Sequence, residues 1–422
     1  MLIYIPFIWF LGLTLFLWKK QGCIDVSVFL AAEYTLTTFC SILCVKLGYL
    51  GAGGILYTND NIDLHLVPTF LFCTLHTILI LPFSRLNTHK IQDIAITNEK
   101  LFDLFAYFLI AVAILNIYIV ADNIIQVLSE KDFAAVRSAH YAGDETLADA
   151  KAKTLPRILG YFYYFNRTSI LALPCFFYSI CFLNKKWWFN IGLLISALSL
   201  PTAGIVSADR TEIIFFTQTI CLCLALFFPF IKKPQWQFLK KIFFPLGIVT
   251  ILYLGGITIA RFGNRDQGVS GGALQYAGQG YLNFCYFFDN CHSQHIHTER
   301  MLPLYNKITQ DDINYPELRD TISKEQGFFI SVFPTYLGDF LCDTGIIGML
   351  LWAGVFFILL LSTITKASSK IYFGQIFWYY ILATTPMFGI FYYPYFTWLQ
   401  VVCIIICAIM SILFHYNLKL TR

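Results

Sequence analysis

The chain has 422 residues, of which 58% are hydrophobic and only 13% are charged, and its mean hydropathy is +0.65. Soluble globular domains carry about 25% charged residues, so this composition excludes an ordinary water-soluble protein and predicts an all-α polytopic integral membrane protein. No polar half separates from an apolar half, and we therefore expect a single membrane domain over residues 1–422. The formal net charge of +4 gives no sign of a nucleic-acid partner.

Apolar runs long enough to cross a bilayer follow one another along the whole chain. About twenty apolar residues span a membrane as a helix, and the sequence predicts about eleven such helices. Their approximate ranges are 2–18, 25–49, 66–84, 101–122, 159–183, 187–207, 211–231, 242–261, 333–362, 373–391 and 395–414. The first run lacks a basic leader and a small-residue cleavage site, which favours a retained helix over a signal peptide.

The Lys and Arg residues of the short loops fall almost entirely on alternate loops. One set of loops and the C-terminal tail holds fifteen of them, at positions 19, 20, 85, 90, 100, 185, 186, 232, 233, 240, 241, 366, 370, 419 and 422. The other set holds one, Arg210. By the positive-inside rule the basic loops and the C-terminus are expected in the cytoplasm, with the N-terminus outside.

Two longer stretches are predicted to lie outside. The first outer loop, 123–158, carries mixed charge, and the large outer loop, 261–332, is the longest polar stretch of the chain. Loops of this length are more often functional than simple spacers.

Arg210 lies in the stretch "IVSADRTEII", between two apolar runs, and is the exception to the charge bias. One interpretation is an interface arginine that pairs with Asp209 or Glu212. The other is an anion ligand that faces an outward cavity, since an ionisable residue inside a membrane protein marks a functional site by default.

Three further arginines are candidates for the same anion site. Arg261 and Arg265 follow the last turn of a predicted helix in "IARFGNRDQG". They either cap that helix or join Arg210 in a phosphate-binding patch, because guanidinium groups match phosphate oxygens bidentately. Arg167, in "YYFNRTSI", is either a fourth member of this patch or a charge used in helix packing.

The segment "CHSQHIHTER" places His292, His295 and His297 within six residues. Their spacing matches no zinc pattern, so no metal or other cofactor is expected. A neutral imidazole here can act as a general base, with a solvated loop face as the alternative. Cys285 and Cys291 lie in the same predicted loop and could form a disulfide if that loop faces an oxidising compartment; the alternative is two free cysteines.

Two carboxylates mark the stretch "FPTYLGDFLCDTGIIGMLLWAG". Asp339 and Asp343 are separated by four residues and would project from one helix face. They are either solvated side chains at a helix start or carboxylates that face the same outward cavity as the arginines.

These features together resemble the Wzy-type oligosaccharide repeat unit polymerases of O-antigen and capsule synthesis. The matching features are the "KK" after the first helix, the "SADRTEI" that opens a helix, a large outer loop in the C-terminal half, and the stretch "PTYLGDFLCDTGIIGMLLWAGVFF". The resemblance covers most of the chain as an architecture, through short motifs.

The resemblance implies a glycosyltransferase of the bacterial inner membrane that polymerises polyprenyl-pyrophosphate-linked oligosaccharides, with membrane lipid, a chain-length regulator and a flippase as partners. It also implies that Arg210, Arg261, Arg265 and Arg167 bind the pyrophosphate, and that the base is one of His292, His295, Asp339 and Glu212. A lipid-linked glycan ligase and a flippase of lipid-linked oligosaccharide are the rival functions. A flippase would spread its charges through the helices, whereas here they cluster at one predicted face.

Overall fold

The computed structural model describes residues 1–51, 54–129, 147–156, 159, 163, 165–183, 185–206, 210–263, 268–291, 296–309, 315–364 and 369–415. About 80% of the structure is helical. The described strands are two three-residue segments that pair in parallel, with Ile94 opposite Ile371.

The described elements follow one another in this order. They are α1 (Tyr4–Gln21), α2 (Val26–Lys46), α3 (Leu66–Ile80), β1 (Asp93–Ala95), α4 (Glu99–Ser129), α5 (Leu147–Thr154), α6 (Ala172–Phe182), α7 (Trp187–Val206), α8 (Thr211–Phe227), α9 (Lys233–Phe262), α10 (Gly268–Asn290), α11 (Pro303–Thr309), α12 (Tyr315–Gln326), α13 (Thr335–Thr363), β2 (Lys370–Tyr372), α14 (Phe373–Phe388) and α15 (Trp398–His415). Short 3₁₀ turns lie at Leu81–Arg85, Thr88–Lys90, Phe165–Leu171 and Phe228–Phe230.

Eight helical stretches among the described residues are long and apolar enough to cross a membrane. They are Val26–Lys46, Leu66–Lys90, Glu99–Val127, Trp187–Val206, Thr211–Phe230, Lys233–Ile259, Thr335–Thr363 and Trp398–His415. This agrees with the predicted class, an all-α multi-pass membrane protein.

The predicted number of eleven spans is not confirmed, and the three missing runs have local causes. Helix α1 ends in Lys19, Lys20 and Gln21, which lower its mean hydropathy. The run 159–183 is divided by the 3₁₀ turn Phe165–Leu171, which leaves α6 only 11 residues long. Helix α14 has 16 residues, fewer than the roughly 20 that a bilayer requires.

The chain divides into two compact units. Unit 1 contains Met1–Lys90, Arg265–Ser368 and Ile381–Val402, and unit 2 contains Ile91–Asn264, Ser369–Tyr380 and Cys403–Arg422.

In unit 1, α10 packs along α2 at very short range. A Cβ atom placed on Gly278 would lie 2.7 Å from the carbonyl carbon of Cys40, and the Ser41 hydroxyl donates a hydrogen bond to the Gly278 carbonyl oxygen. Small residues permit such close helix contacts. Residues 268–290 belong to the range predicted as a large outer loop, 261–332, so the loop prediction is not confirmed and this part of it is a helix that packs on its neighbours.

Helix α13 of unit 1 is broken at Gly345, which has φ 69° and ψ −175°. Glycine adopts this conformation without the steric cost that a Cβ would add. All nine residues from Thr335 to Asp343 are buried, whereas Ile347 and Val355 are about 70% exposed. The first half of α13 therefore lies inside the protein, and the second half has the apolar surface of a lipid-facing helix.

In unit 2, α4 packs against α7, and a buried polar network joins α7 to the 3₁₀ turn Phe165–Leu171. The Ser199 hydroxyl donates to the Asn166 side-chain carbonyl at 2.7 Å, and the Asn166 amide donates to the Ser199 backbone carbonyl at 3.0 Å. Hydrogen bonds of this kind join helices in membranes. The network fixes the turn that carries Arg167.

Within each unit, contacts join helix ends that carry Lys and Arg residues of the predicted cytoplasmic loops. In unit 1, Lys20 donates to Ser84 at the end of α3, and Arg85 donates to the Leu361 carbonyl near the end of α13. In unit 2, Lys185 contacts both Glu99 and Asp103 at 2.7 Å, at the start of α4. The opposite helix ends carry the candidate site residues.

We expect the close contact of Gly278 with α2 to make Gly278→Ala destabilising. The added Cβ would meet backbone atoms of Cys40, which cannot rotate away, and overpacking of this kind costs about 1–3 kcal/mol. The matched control is Gly256→Ala in α9, where a Cβ meets nothing within 4 Å and the higher helix propensity of alanine favours folding. Thermal unfolding in detergent micelles measures both, and an equal loss in the two variants would contradict the described packing.

Candidate functional site

Two clusters of buried charge stand out among the described residues. The Arg210 cluster, in unit 2, comprises Arg167, Arg210 and Glu212. The Arg300 cluster, in unit 1, comprises Arg300, Asp339 and Asp343. Each lies at helix ends away from the Lys- and Arg-rich loops.

The Arg210 cluster forms where α8 begins. Arg210 immediately precedes α8 and is only 4% exposed, and Glu212 lies in the first turn of the helix. A carboxylate at this position is favoured by the positive end of the helix dipole. The Arg210 guanidinium donates to the Thr258 hydroxyl at 3.2 Å, near the end of α9.

Arg167 brings a second guanidinium to the same helix start. It lies in the 3₁₀ turn Phe165–Leu171, and its Nη1 donates to Glu212 Oε1 in an ion pair. The Arg167 side chain is 35% exposed, against 12% for that of Glu212. Arg167 is therefore the more exposed partner of this ion pair, and the three named residues of the cluster carry a formal charge of +1.

Several predicted site residues cannot be placed. Arg265, His292 and His295 lie outside the described residues, as does Asp209. Arg261 is the penultimate residue of α9, and its side chain is outside the description as well. Their predicted roles remain predictions from the sequence.

The Arg300 cluster forms around the buried half of α13. Arg300 Nε donates to both carboxylate oxygens of Asp343, at 3.1 and 3.0 Å, and Nη1 donates to Asp339 Oδ1 at 3.4 Å. The backbone N–H of Tyr393 donates to Asp339 Oδ2 at 2.7 Å. Both aspartates thus face the same side of α13, and the alternative of solvated side chains at a helix start does not hold.

The two carboxylates of this cluster stabilise the charged form of Arg300. Burial by itself would lower the pKa of the Arg300 guanidinium, but the neighbouring Asp343 and Asp339 carboxylates outweigh burial and raise this pKa above its ordinary value. Arg300 is therefore a permanent cation that holds two carboxylates, and the three residues carry a formal charge of −1.

The start of α13 has a strained backbone, which two backbone hydrogen bonds to residues 389–391 hold in place. Thr335 has φ 68°, a left-handed conformation that is rare for a β-branched residue. Its N–H donates to the Phe391 carbonyl at 3.0 Å, and the Tyr336 N–H donates to the Gly389 carbonyl at 2.9 Å. A strained conformation persists where the surrounding structure holds it in place. Here the two backbone hydrogen bonds hold Thr335, and they also fix the start of the helix that carries Asp339.

His297 is the described member of the predicted histidine group. Its Nε2 lies 2.8 Å from Glu325 of α12, and its backbone N–H donates to the Asp343 carbonyl at 2.8 Å. Among the residues that the structure describes, no group of three or more His, Cys, Asp or Glu side chains could hold a metal ion. His297 thus joins α12 to the Arg300 cluster.

Sequence reasoning missed Arg300. The available signal was electrostatic: two carboxylates in an apolar stretch need a buried cation, because an unpaired buried charge is costly. Residues 291–334, between α10 and α13, contain two arginines, Arg300 and Arg319, so few arginines were available for this role.

The sequence matches no family model, and no curated protein or solved structure shows detectable similarity to it. The resemblance to the repeat unit polymerases therefore remains a hypothesis based on short motifs and architecture.

We expect Arg300→Met to destabilise the protein by about 3–5 kcal/mol, because it leaves two buried carboxylates without their cation. The triple variant Arg300→Met, Asp339→Asn, Asp343→Asn should recover part of this loss, since no uncompensated charge remains. Denaturant unfolding in detergent measures both. Wild-type stability in the single variant would contradict the burial of this cluster.

Proposed function

We propose that the chain is a membrane glycosyltransferase that polymerises polyprenyl-pyrophosphate-linked oligosaccharide repeat units at the extracytoplasmic face of the bacterial inner membrane. The observation that carries the proposal is the Arg210 cluster at the start of α8, where the buried Arg210 directly precedes the helix and Glu212 of its first turn is paired with the partly exposed Arg167. The three residues carry net positive charge.

The side of the membrane follows from charge. By the positive-inside rule we assign the basic loops to the cytoplasm, and contacts within each unit join helix ends that carry these basic residues. On this reasoning both charge clusters lie at the outer face, where a lipid-linked pyrophosphate would sit at the membrane surface.

The proposed reaction is a displacement at the anomeric carbon of the donor. A hydroxyl oxygen of the acceptor glycan forms a bond to that carbon while the bond from the carbon to the pyrophosphate oxygen breaks. The hydroxyl proton passes to a protein base, and the electron pair of the broken bond leaves on the pyrophosphate. Such chemistry needs cations at the leaving group and a base at the attacking group.

The two clusters suit different tasks. Arg210 and Arg167, with Arg261 and Arg265 as further sequence candidates, would stabilise the leaving pyrophosphate. The Arg300 cluster has the opposite net charge and suits a pyrophosphate poorly. We assign it to positioning the start of α13.

The base is chosen by location among the candidates. Glu212 lies beside the proposed pyrophosphate site and is paired with Arg167 through Oε1 only, while its Oε2 accepts no hydrogen bond from a described residue. Asp339 already accepts bonds from Arg300 and from the Tyr393 N–H. We therefore assign the proton acceptor to Glu212, with His292 and His295 as the sequence-based alternatives.

Arg210→Ala and Arg210→Lys should both abolish glycan polymerisation, because alanine removes the cation and lysine lacks the bidentate geometry that matches phosphate oxygens. The chain-length ladder of the surface glycan, run on a gel from a deletion strain that carries each variant, is the measurement. We expect single repeat units in place of the ladder, with the variant present in the membrane by blot.

Lys370→Ala is the matched control, since it removes one cation from a side chain that is 62% exposed in β2. Its ladder should equal the wild-type ladder. An unchanged ladder in Arg210→Ala would remove Arg210 from the site, and an intact ladder in the complete deletion would overturn the proposed function.

Glu212→Gln keeps the shape of the side chain but cannot accept the proton as a carboxylate does. General-base catalysis contributes about 10²–10⁴-fold, so we expect transfer between synthetic prenyl-pyrophosphate-linked repeat units by purified protein to slow by that factor. The pH–rate profile should also lose its acidic limb. An unchanged profile and rate would assign the base elsewhere, with His292→Ala and His295→Ala as the next variants.

A further inference from the structure

Four aromatic side chains of unit 1 form a continuous row, which we call the aromatic row. Its members are Tyr276 of α10, Phe333 just before α13, and Tyr392 and Phe396 in the turn after α14. The Phe333 ring centroid lies 4.9 Å from that of Tyr276 and 5.7 Å from that of Tyr392. The Tyr392 and Phe396 centroids are 5.7 Å apart. All four residues are half-buried, so each retains surface for a ligand.

Buried contacts hold the aromatic row in place. Phe391 is only 8% exposed and packs on Phe333, with the ring centroids 5.6 Å apart. The Phe333 N–H donates to the Gln279 side-chain carbonyl at 3.1 Å. At the other end of the turn, the Thr397 N–H and hydroxyl both donate to Gln400 Oε1, at 3.1 and 2.9 Å. The row is therefore ordered before any ligand arrives, which reduces the entropy lost on binding.

The turn after α14 directs its other tyrosines to different partners. The Tyr393 N–H donates to Asp339, and the Tyr395 hydroxyl lies 2.9 Å from the Thr384 hydroxyl. Packing of the turn on its helices thus accounts for Tyr393 and Tyr395. The two members of the aromatic row in this turn instead lie beside Phe333, where they remain half-buried.

The aromatic row lies at the end of α13 that is opposite to the basic loops. Arg85 donates to the Leu361 carbonyl near the C-terminal end of this helix. The first residue of the helix, Thr335, donates its N–H to the Phe391 carbonyl at 3.0 Å. With the basic loops assigned to the cytoplasm, the row faces the outer side, where a lipid-linked glycan would be.

A polar helix borders the aromatic row. The guanidinium carbon of Arg319 in α12 lies 5.6 Å from the centre of the Phe396 ring, a cation–π contact. Five of the twelve residues of α12 are charged, and a helix with this charge density is unfavourable in lipid. The row therefore has water on at least one side. An aromatic belt in the lipid interface, the alternative interpretation, does not account for a charged helix at this edge.

We infer that the aromatic row binds the sugars of the acceptor repeat unit, with Arg319 at its edge. A sugar ring has one face of C–H groups and an edge of hydroxyls. The negatively charged face of an aromatic ring attracts such C–H groups, and a guanidinium donates hydrogen bonds to hydroxyl oxygens. Several rings in a row suit consecutive sugars. The inference rests on the proposed function, which assigns the donor pyrophosphate to the Arg210 cluster and requires a separate place for the acceptor sugars.

The test measures glycan binding without lipid or pyrophosphate. The probe is the single repeat unit released by partial acid hydrolysis from the surface glycan of the parent strain, titrated into the purified full-length protein in detergent. We expect Tyr392→Ala and Phe396→Ala each to weaken binding by about 3- to 10-fold, the usual contribution of one aromatic contact. Phe396→Leu should weaken it equally, because leucine keeps an apolar side chain but lacks the flat face.

The matched control is Phe244→Ala, which removes an aromatic side chain that is 73% exposed on α9 in unit 2, and it should bind with wild-type affinity. Thermal unfolding in detergent should be similar in all these variants. No binding by the wild type would overturn the inference. Unchanged affinity in Phe396→Leu would overturn it as well, and reduced stability with unchanged affinity would assign the row to lipid contact.

The glycan ladder of the complete deletion separates this inference from the proposed function. A ladder lost in the deletion, together with unchanged affinity in the row variants, would overturn the inference alone. A ladder intact in the deletion, together with weakened binding in the row variants, would overturn polymerisation and leave the row as a glycan-binding surface.

Discussion

The fold of unit 1 depends on the neutralisation of two carboxylates that are buried away from water. Asp339 and Asp343 lie in a helix half that is buried throughout, and carboxylates in such a place need a cation and hydrogen-bond donors. Arg300 supplies the cation, and the backbone of Tyr393 supplies a donor. This requirement holds together three parts of unit 1: the segment 296–302, the first half of α13, and the turn after α14 that carries Tyr393.

Unit 2 also buries charged side chains at a helix start, but there the net charge is positive. There the guanidinium groups of Arg167 and Arg210 outnumber the carboxylate of Glu212, and one edge of the cluster is exposed. A closed cluster with excess negative charge fixes a helix, whereas an open cluster with excess positive charge is suited to an anion. This difference is the reason that we propose ligand binding for the Arg210 cluster and positioning for the Arg300 cluster.

The sequence predicted what depends on hydropathy and local spacing. The membrane class, most of the long apolar helices and the common face of Asp339 and Asp343 follow from composition and periodicity. Helix α10 was missed because its glycines and amides read as a loop, although glycine at 278 is what allows α10 to approach α2. Helix α10 packs against protein rather than lipid, so its sequence lacks the long apolar run by which hydropathy identifies a helix in a membrane protein.

The pairings themselves were beyond the sequence because they join distant segments. Glu212 meets Arg167 across 45 positions, and Arg300 meets Asp343 across 43.

The break at Gly345 has a consequence for biosynthesis. The segment after the break is apolar and can enter the bilayer by its own hydropathy, but the segment before it carries two aspartates, each of which costs about 2.5–3.5 kcal/mol in lipid. Arg300 has already been translated when α13 emerges, whereas Tyr393 has not. We therefore expect the lipid-facing half to insert first, and the aspartate-bearing half to take its buried place only after α14 and the turn that carries Tyr393 have been made.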